Sequence, residues 1–305
     1  KGFIRDMRNA FAQALYDLAV EDEGIYVLAA DISPAGPMAR FRDEFPKRFI
    51  NVGVAEQVMV GMAAGLALRG LKPFVYTIAT FALYRPFEFV RDDLAYQCLP
   101  VTIVGMGAGV IYSTLGSTHH AQEDVALASA IPNMQIISPC DPDETVEAVK
   151  YCASQQKGPV YLRLGKAGEP NLTKHSVPWK FGSLRVIRAG KEGCILTYGP
   201  ISQMAVSIGD LKDFTVVSCH TLKPLDRGAI ATLLSSYNRV IVIEEHSERG
   251  GLASWVKEIA WETKATCKLD TFSLKDEFIH HYGSHAELLE KHGLSKNNVV
   301  AFLQQ

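Results

Sequence analysis

The 305-residue sequence carries no excess of charge of either sign: 31 Lys and Arg stand against 33 Asp and Glu, a formal net charge of −2. That balance gives no footing to binding of nucleic acid or of an acidic membrane by bulk positive charge. Long apolar runs are also missing. The longest, Val58 to Leu68, falls far short of the ~20 residues that span a bilayer, and the opening KGFIRDMRNAFAQ has no apolar core of a signal peptide. None of the six cysteines, Cys98, Cys140, Cys152, Cys194, Cys219 and Cys267, falls in a CxxC spacing. They read as buried free thiols of a cytoplasmic protein, and zinc is not expected. HExxH, a GxSxG elbow and a P-loop lysine are absent, and no metal-ligating residue is assigned. GMGAG (105–109) stops short of G-x-G-x-x-G because position 110 is Val, so it reads as a flexible turn rather than a dinucleotide site.

Apolar runs that read as strands alternate with segments that read as helices. Strands are expected at 25–30, 74–78, 101–104, 134–137 and 160–164, with helices at 7–20, 55–69, 86–97, 122–130 and 142–154. The polar stretch KAGEPNLTKHSVPWKF (166–181) reads as a linker. Alternation then resumes, with strands at 194–197, 215–218 and 240–243 and helices near 201–211, 227–234 and 252–262. The expected architecture is therefore α/β in two domains, each a mainly parallel sheet flanked by helices. The first is expected over 1–170 and the second over 182–305, joined through 171–181. In such sheets ligands bind beyond the carboxyl ends of the strands. That directs attention to ADISPA, YTIATFALYRPF, VGMGAGVIYSTLGSTHH, SPCDPDE and LRLGKAGEP.

In NVGVAEQVMVGMAAGLALRG, from Asn51 to Gly70, Glu56 heads a helix that is apolar all round and is expected to be buried. Two readings stand: a first-turn carboxylate stabilised by the helix dipole, or a buried carboxylate kept to hydrogen-bond a ligand. THH (118–120) places histidines on a loop beyond a strand, where an acid, a base or an oxyanion partner could sit, or merely a helix-start histidine. FALYRPF spaces Phe81, Tyr84 and Phe87 as either a core stripe or a stacking surface for a heteroaromatic ring.

In order, ADI, NVGVAEQ, YTIATF, a Gly-rich loop ending in TH, IPNM, SPCDPDE, GPVYLRLG and VIEEHSERGG resemble the C-terminal two-thirds of the transketolase family of thiamine diphosphate enzymes. The resemblance covers nearly the whole chain. It implies a pyrimidine-binding domain followed by the family's C-terminal domain, whose role is mostly structural. It places Glu56 at the family's glutamate, which hydrogen-bonds N1′ of the cofactor's aminopyrimidine and favours the imino tautomer, so that the 4′-nitrogen takes the thiazolium C2 proton. It places Phe81, Tyr84 and Phe87 against the aminopyrimidine and Asp31 at the acidic residue of the ADL segment. His119 takes the place of the histidine that contacts substrate oxygens, and Arg8 and Lys166 take basic positions that hold substrate phosphate.

Departures accompany the resemblance. An acidic residue of the family falls on Leu115, a histidine on Gly107, and a phosphate-holding serine on Ala35, which puts phosphorylated sugars in doubt as substrates. The GDG…N motif that holds diphosphate and Mg²⁺ (or Ca²⁺) in the family does not occur. The resemblance therefore implies a split enzyme in an α2β2 assembly, with a partner chain supplying that motif and the metal. The expected reaction is transfer of a two-carbon ketol unit from a ketose to an aldose. The alternatives are a beta subunit of a 2-oxo acid dehydrogenase, a deoxyxylulose-phosphate synthase-like enzyme, or a non-catalytic subunit that kept the fold.

Overall fold

A computed structural model describes residues 6–304 apart from 33, 35–36, 155–156, 167 and 175. Position 35, one of the three departures, lies outside the described residues. Among those described, twelve strands form two sheets. The first half contributes β1 (Ile25–Ala29), β2 (Phe49–Asn51), β3 (Lys72–Ile78), β4 (Thr102–Met106), β5 (Gln135–Ile137) and β6 (Val160–Leu164). The second half contributes β7 (Arg185–Arg188), β8 (Gly193–Thr197), β9 (Phe214–Ser218), β10 (Thr221–Lys223), β11 (Arg239–Ser247) and β12 (Lys268–Leu274). The larger sheet runs β10-β5-β6-β4-β3-β1-β2 and the smaller β12-β11-β8-β9-β7. Their pairings are parallel except β10 on β5 and β7 on β9. The molecule is thus α/β with two mainly parallel sheets flanked by helices.

The strands read as nearly continuous apolar runs because both faces of each sheet are covered. Side chains alternate between the two faces: Phe74 and Tyr76 of β3 face one way, Val75 the other. One face packs on α1 (Met7–Glu21), α2 (Pro37–Glu44) and, later in the chain, α7 (Pro142–Ser154), with Met7, Phe11, Phe41 and Val149 among the buried residues. The opposite face packs on α3 (Glu56–Leu68) and joins a core that continues into the smaller sheet through Cys194, Leu196, Val242 and α10 (Leu252–Glu262). The far side of the smaller sheet is covered by α8 (Ser202–Lys212), α11 (His285–Lys291) and α12 (Lys296–Phe302).

Three expectations need correction. α3 is not buried all round: Met59, Val60 and Ala63 face the core, while Val58, Met62 and Leu68 are exposed. An apolar helix buried on one side only leaves an apolar stripe on the surface. Cys98 is exposed and Cys267 partly so, while the other four free thiols are buried. The segment expected as one helix at 86–97 is instead a short turn, α5 (Phe87–Phe89), continued by a π-helix over Val90–Tyr96. Pro86, the residue before α5, has no N–H to carry on a ladder from the preceding turn, so the helix restarts there. Elements not anticipated include α2, β2, α4 (Ala79–Leu83) and the edge strand β10, which crosses from the second half of the chain to the first sheet; α9 (Arg227–Ser236) extends the helix expected at 227–234 by two residues.

Candidate active site

Because β1, β2, β3, β4 and β6 run parallel, the segments leaving their carboxyl ends meet on one edge of the larger sheet. Those segments carry Asp31, Glu56, Phe81, His119 and Lys166 respectively.

Glu56 is the first residue of α3, follows Ala55, which offers no side-chain cap, and is 2% exposed. Arg85 Nη1 donates to its Oε1 at 2.9 Å, and the Arg85 side chain is 43% exposed. Oε2 accepts no hydrogen bond from the described residues. From this pair a chain of contacts runs along the sheet edge. The Arg85 guanidinium lies 4.1 Å from the Phe81 ring centre. Phe81 meets His119 edge-on at 5.1 Å. His119 lies 6.5 Å from Tyr112, and Lys166 Nζ sits 4.5 Å over the Tyr112 ring. Arg8 donates from Nε to Tyr76 Oη at 3.0 Å. It is also near enough to Tyr112 that its charge works against the burial that raises that phenol's pKa. Glu56, Phe81 and His119 therefore form one end of a continuous row, and Lys166 and Arg8 flank the other.

His119 sits in a 3₁₀ turn (Ser117–His119), with Nδ1 3.0 Å from Thr118 Oγ1. Burial, then the nearby Arg85 charge, lower its pKa, so at neutral pH the ring is neutral and able to donate or accept. Tyr84 turns to Glu123 instead, donating to Oε2 at 3.1 Å while accepting from the Glu123 amide at 3.3 Å. Its ring and that of Phe87 are partly buried against the core beside α3. Asp31 is exposed, has a φ of 46°, and its amide donates to Asn51 Oδ1 at 3.2 Å. A side chain at Gly107 has no room, since a Cβ would lie 2.1 Å from Tyr112 Cε2. Tyr112 thus occupies the space beside position 107. Leu115 is exposed.

Reading the sequence did not find Arg85, Tyr112, Glu123 or Glu245. Arg85 stood in plain view within FALYRPF, and a cation is what a buried carboxylate nearby needs. Glu245 lies in VIEEHSERGG, but nothing local shows that it reaches the His119 loop. His281 and His285 stand four residues apart, yet no group of three His, Cys, Asp or Glu side chains among the described residues could hold a metal. Among those residues no helix is long and apolar enough to cross a membrane.

A buried carboxylate, an aromatic ring and a histidine thus stand together at the carboxyl edge of a parallel sheet, where ligands bind in folds of this class. Residues 5–169 match the family described as transketolase, pyrimidine binding domain, and residues 182–299 that described as transketolase, C-terminal domain. The chain belongs to the transketolase family. It is 33% identical over 298 residues to a protein of Phocaeicola vulgatus named as one of the subunits of apulose-4-phosphate transketolase, covering 96% of this chain and 94% of that one. A solved structure described as a split gene transketolase, inactive beta4 tetramer, superposes with a TM-score of 0.85 at 35% identity, covering 98% of this chain and 97% of that one. Similarity also extends to 1-deoxy-D-xylulose-5-phosphate synthase of Aromatoleum aromaticum, 32% identical, but the match covers 97% of this chain and only 48% of the synthase. The chain is thus a C-terminal-type section of the family.

Proposed function

We propose that this chain is the C-terminal subunit of a split transketolase, active only with a partner carrying the GDG…N motif, and that the pair transfers a two-carbon ketol unit from a ketose to an aldose. The observation that carries the reading is Glu56: a carboxylate 2% exposed, with one oxygen on Arg85 and the other without a described partner, beside the Phe81 ring. That donor set fits an aminopyrimidine. Thiamine diphosphate, when bound, supplies the nucleophilic carbon and the electron sink that ketol transfer needs.

The residues of this chain do the rest. Glu56 holds a proton at the pyrimidine ring nitrogen, away from water. Phe81, with Tyr84 and Phe87 behind it, offers the ring a flat apolar wall, and Asp31 closes the cofactor side. His119 exchanges hydrogen bonds with substrate oxygens. Arg8 and Lys166, both near Tyr112, attract a phosphate if the sugar carries one. The naming of the Phocaeicola relative as a subunit supports a partner chain, and the description of the split-gene structure as an inactive tetramer supports incompleteness of a chain of this kind by itself. The exposed stripe Val58, Met62 and Leu68 beside Glu56 fits a contact between chains in an α2β2 assembly. The diphosphate and Mg²⁺ are assigned to the partner. Six free thiols fit a cytoplasmic enzyme.

Calorimetry of thiamine diphosphate with Mg²⁺ tests the partner requirement. Binding is expected only when a chain carrying GDG…N is added; tight binding by this chain alone overturns it. A reductive acylation assay with a lipoyl domain is expected to be negative, and a positive result favours the 2-oxo acid dehydrogenase reading.

A further inference from the structure

The loop between β4 and α6 (Asp124–Ala130) carries His119 two residues before Ala121, where the loop closes, and its base is held from the other sheet. Gly109 O accepts from Ala121 N at 2.8 Å, closing the loop on itself. Glu245, on β11 and 2% exposed, accepts from Val110 N at 2.7 Å and from His285 Nε2 at 2.9 Å. The β11–β12 register is irregular between Ile243 and Ser247, and such an irregularity re-aims side chains. Glu244 turns to the head of α10, accepting from the amides of Leu252 and Ala253, and Glu245 turns to the loop. Approach this close needs a glycine: a Cβ at Gly109, whose φ is +60°, would lie 2.4 Å from Glu245 Oε1. Two further ties come from the same side. Ser247 N donates to Gln122 O at 2.7 Å, and Ser117 Oγ, two residues from His119, donates to Ile279 O at 3.2 Å.

The geometry points to Glu245, with its partner His285, as positioning residues for His119: from the C-terminal half of the chain they fix the base of the loop and so the reach of the histidine to substrate. This rests on the reading of His119 as the substrate-contacting histidine. It gives the second sheet a part in the reaction, beyond a structural one. Around His285 stand Glu245 on β11, Glu169 and Lys166 beyond β6, and His120 at the end of the loop. Burial alone would lower the His285 pKa; the charge and hydrogen bond of Glu245, with Glu169, more than offset that and raise it. The His285 imidazolium is therefore lost only as pH rises through that raised value.

The test uses two variants and two kinds of readout. Hydrogen exchange followed by mass spectrometry on the full chain should show amides over 108–120 exchanging at least tenfold faster in Glu245→Ala, with the strands of both sheets unchanged. Glu245→Gln keeps an accepting oxygen and should return most of that protection. In the enzyme reconstituted with its partner, Glu245→Ala should raise the KM for glyceraldehyde 3-phosphate, used as the probe acceptor. It should also lower turnover by about 10²-fold, the scale of a 1 Å misplacement. Exchange of the thiamine C2 proton, which depends on Glu56, should stay at the wild-type rate. Unchanged protection over 108–120, or an equal fall in C2-proton exchange and acceptor turnover, overturns the proposal. Failure of the underlying reading shows separately, as near-normal turnover in a His119→Ala enzyme.

Discussion

Replacing Asp124 by Asn tests whether the polar cluster beneath the His119 loop is held together by charge. Asp124 and Arg163 are 0% and 1% exposed, with Arg163 Nε 2.7 Å from Asp124 Oδ2. The same oxygen accepts from Tyr161 Oη at 2.7 Å, and Arg163 Nη2 donates to Glu245 O at 2.9 Å and to Ala121 O at 3.4 Å. Asn keeps the shape but leaves a guanidinium buried without a counter-charge. Removing one partner of such a pair costs about 3–5 kcal/mol. At about 2–4 °C per kcal/mol for a chain of this class of size, the melting temperature should fall by roughly 6–20 °C. Thermal and urea unfolding followed by circular dichroism provide the measurement. The double replacement Asp124→Leu with Arg163→Met, which removes both charges together, should recover much of the loss. A loss below about 1 kcal/mol in Asp124→Asn would refute the argument, since only surface pairs are worth so little.

His220 is fully buried, stacked on Trp179 at 4.9 Å, and burial, then the Arg185 charge, lower its pKa to about 3. The unfolded chain protonates this histidine below its ordinary ~6.5 while the folded chain does not. Stability should therefore fall as pH drops from there toward 3, by up to about 1.4 kcal/mol per unit, and His220→Gln should flatten that slope in urea melts across pH. Gly109→Ala forces a Cβ to within 2.4 Å of Glu245 at a φ of +60°. It should cost about 2–4 kcal/mol through strain and overpacking, read as a lower urea midpoint; a neutral result contradicts the close approach. Val58→Asp on the exposed stripe of α3 should leave this chain's melting temperature within the reach of ~0.5 kcal/mol yet weaken association with the partner in sedimentation. Equal association would place the contact elsewhere.

The fold was legible where the apolar runs are bounded. β6 and the helices α7 and α10 begin and end where turn residues and apolar spacing put them, because both faces of the sheets are buried and little else competes for those residues. Short edge elements were not legible. β2 and β10 have three residues each, too few to show a period, and β10 is a strand only because β5 lies beside it. The even apolar composition of α3 concealed which side faces solvent. For the site, residue types near Glu56 and His119 pointed to ligand chemistry, and the parallel strands explain why they share an edge. The Arg85 and Glu245 contacts link positions 29 to 135 residues apart, a separation at which local pattern carries no information.

The central claim is that Glu56 is a buried carboxylate kept for an aminopyrimidine. The most direct measurement is turnover by the reconstituted enzyme carrying Glu56→Gln, with a ketose phosphate donor and an aldose acceptor. The glutamine preserves shape and much of the hydrogen bonding to Arg85 but holds the proton at the ring nitrogen poorly. Turnover is predicted to fall by about 10²–10⁴-fold, the usual weight of a positioned proton-transfer group, with the chain still folded and still bound to its partner. Near-normal turnover in that variant would contradict the account.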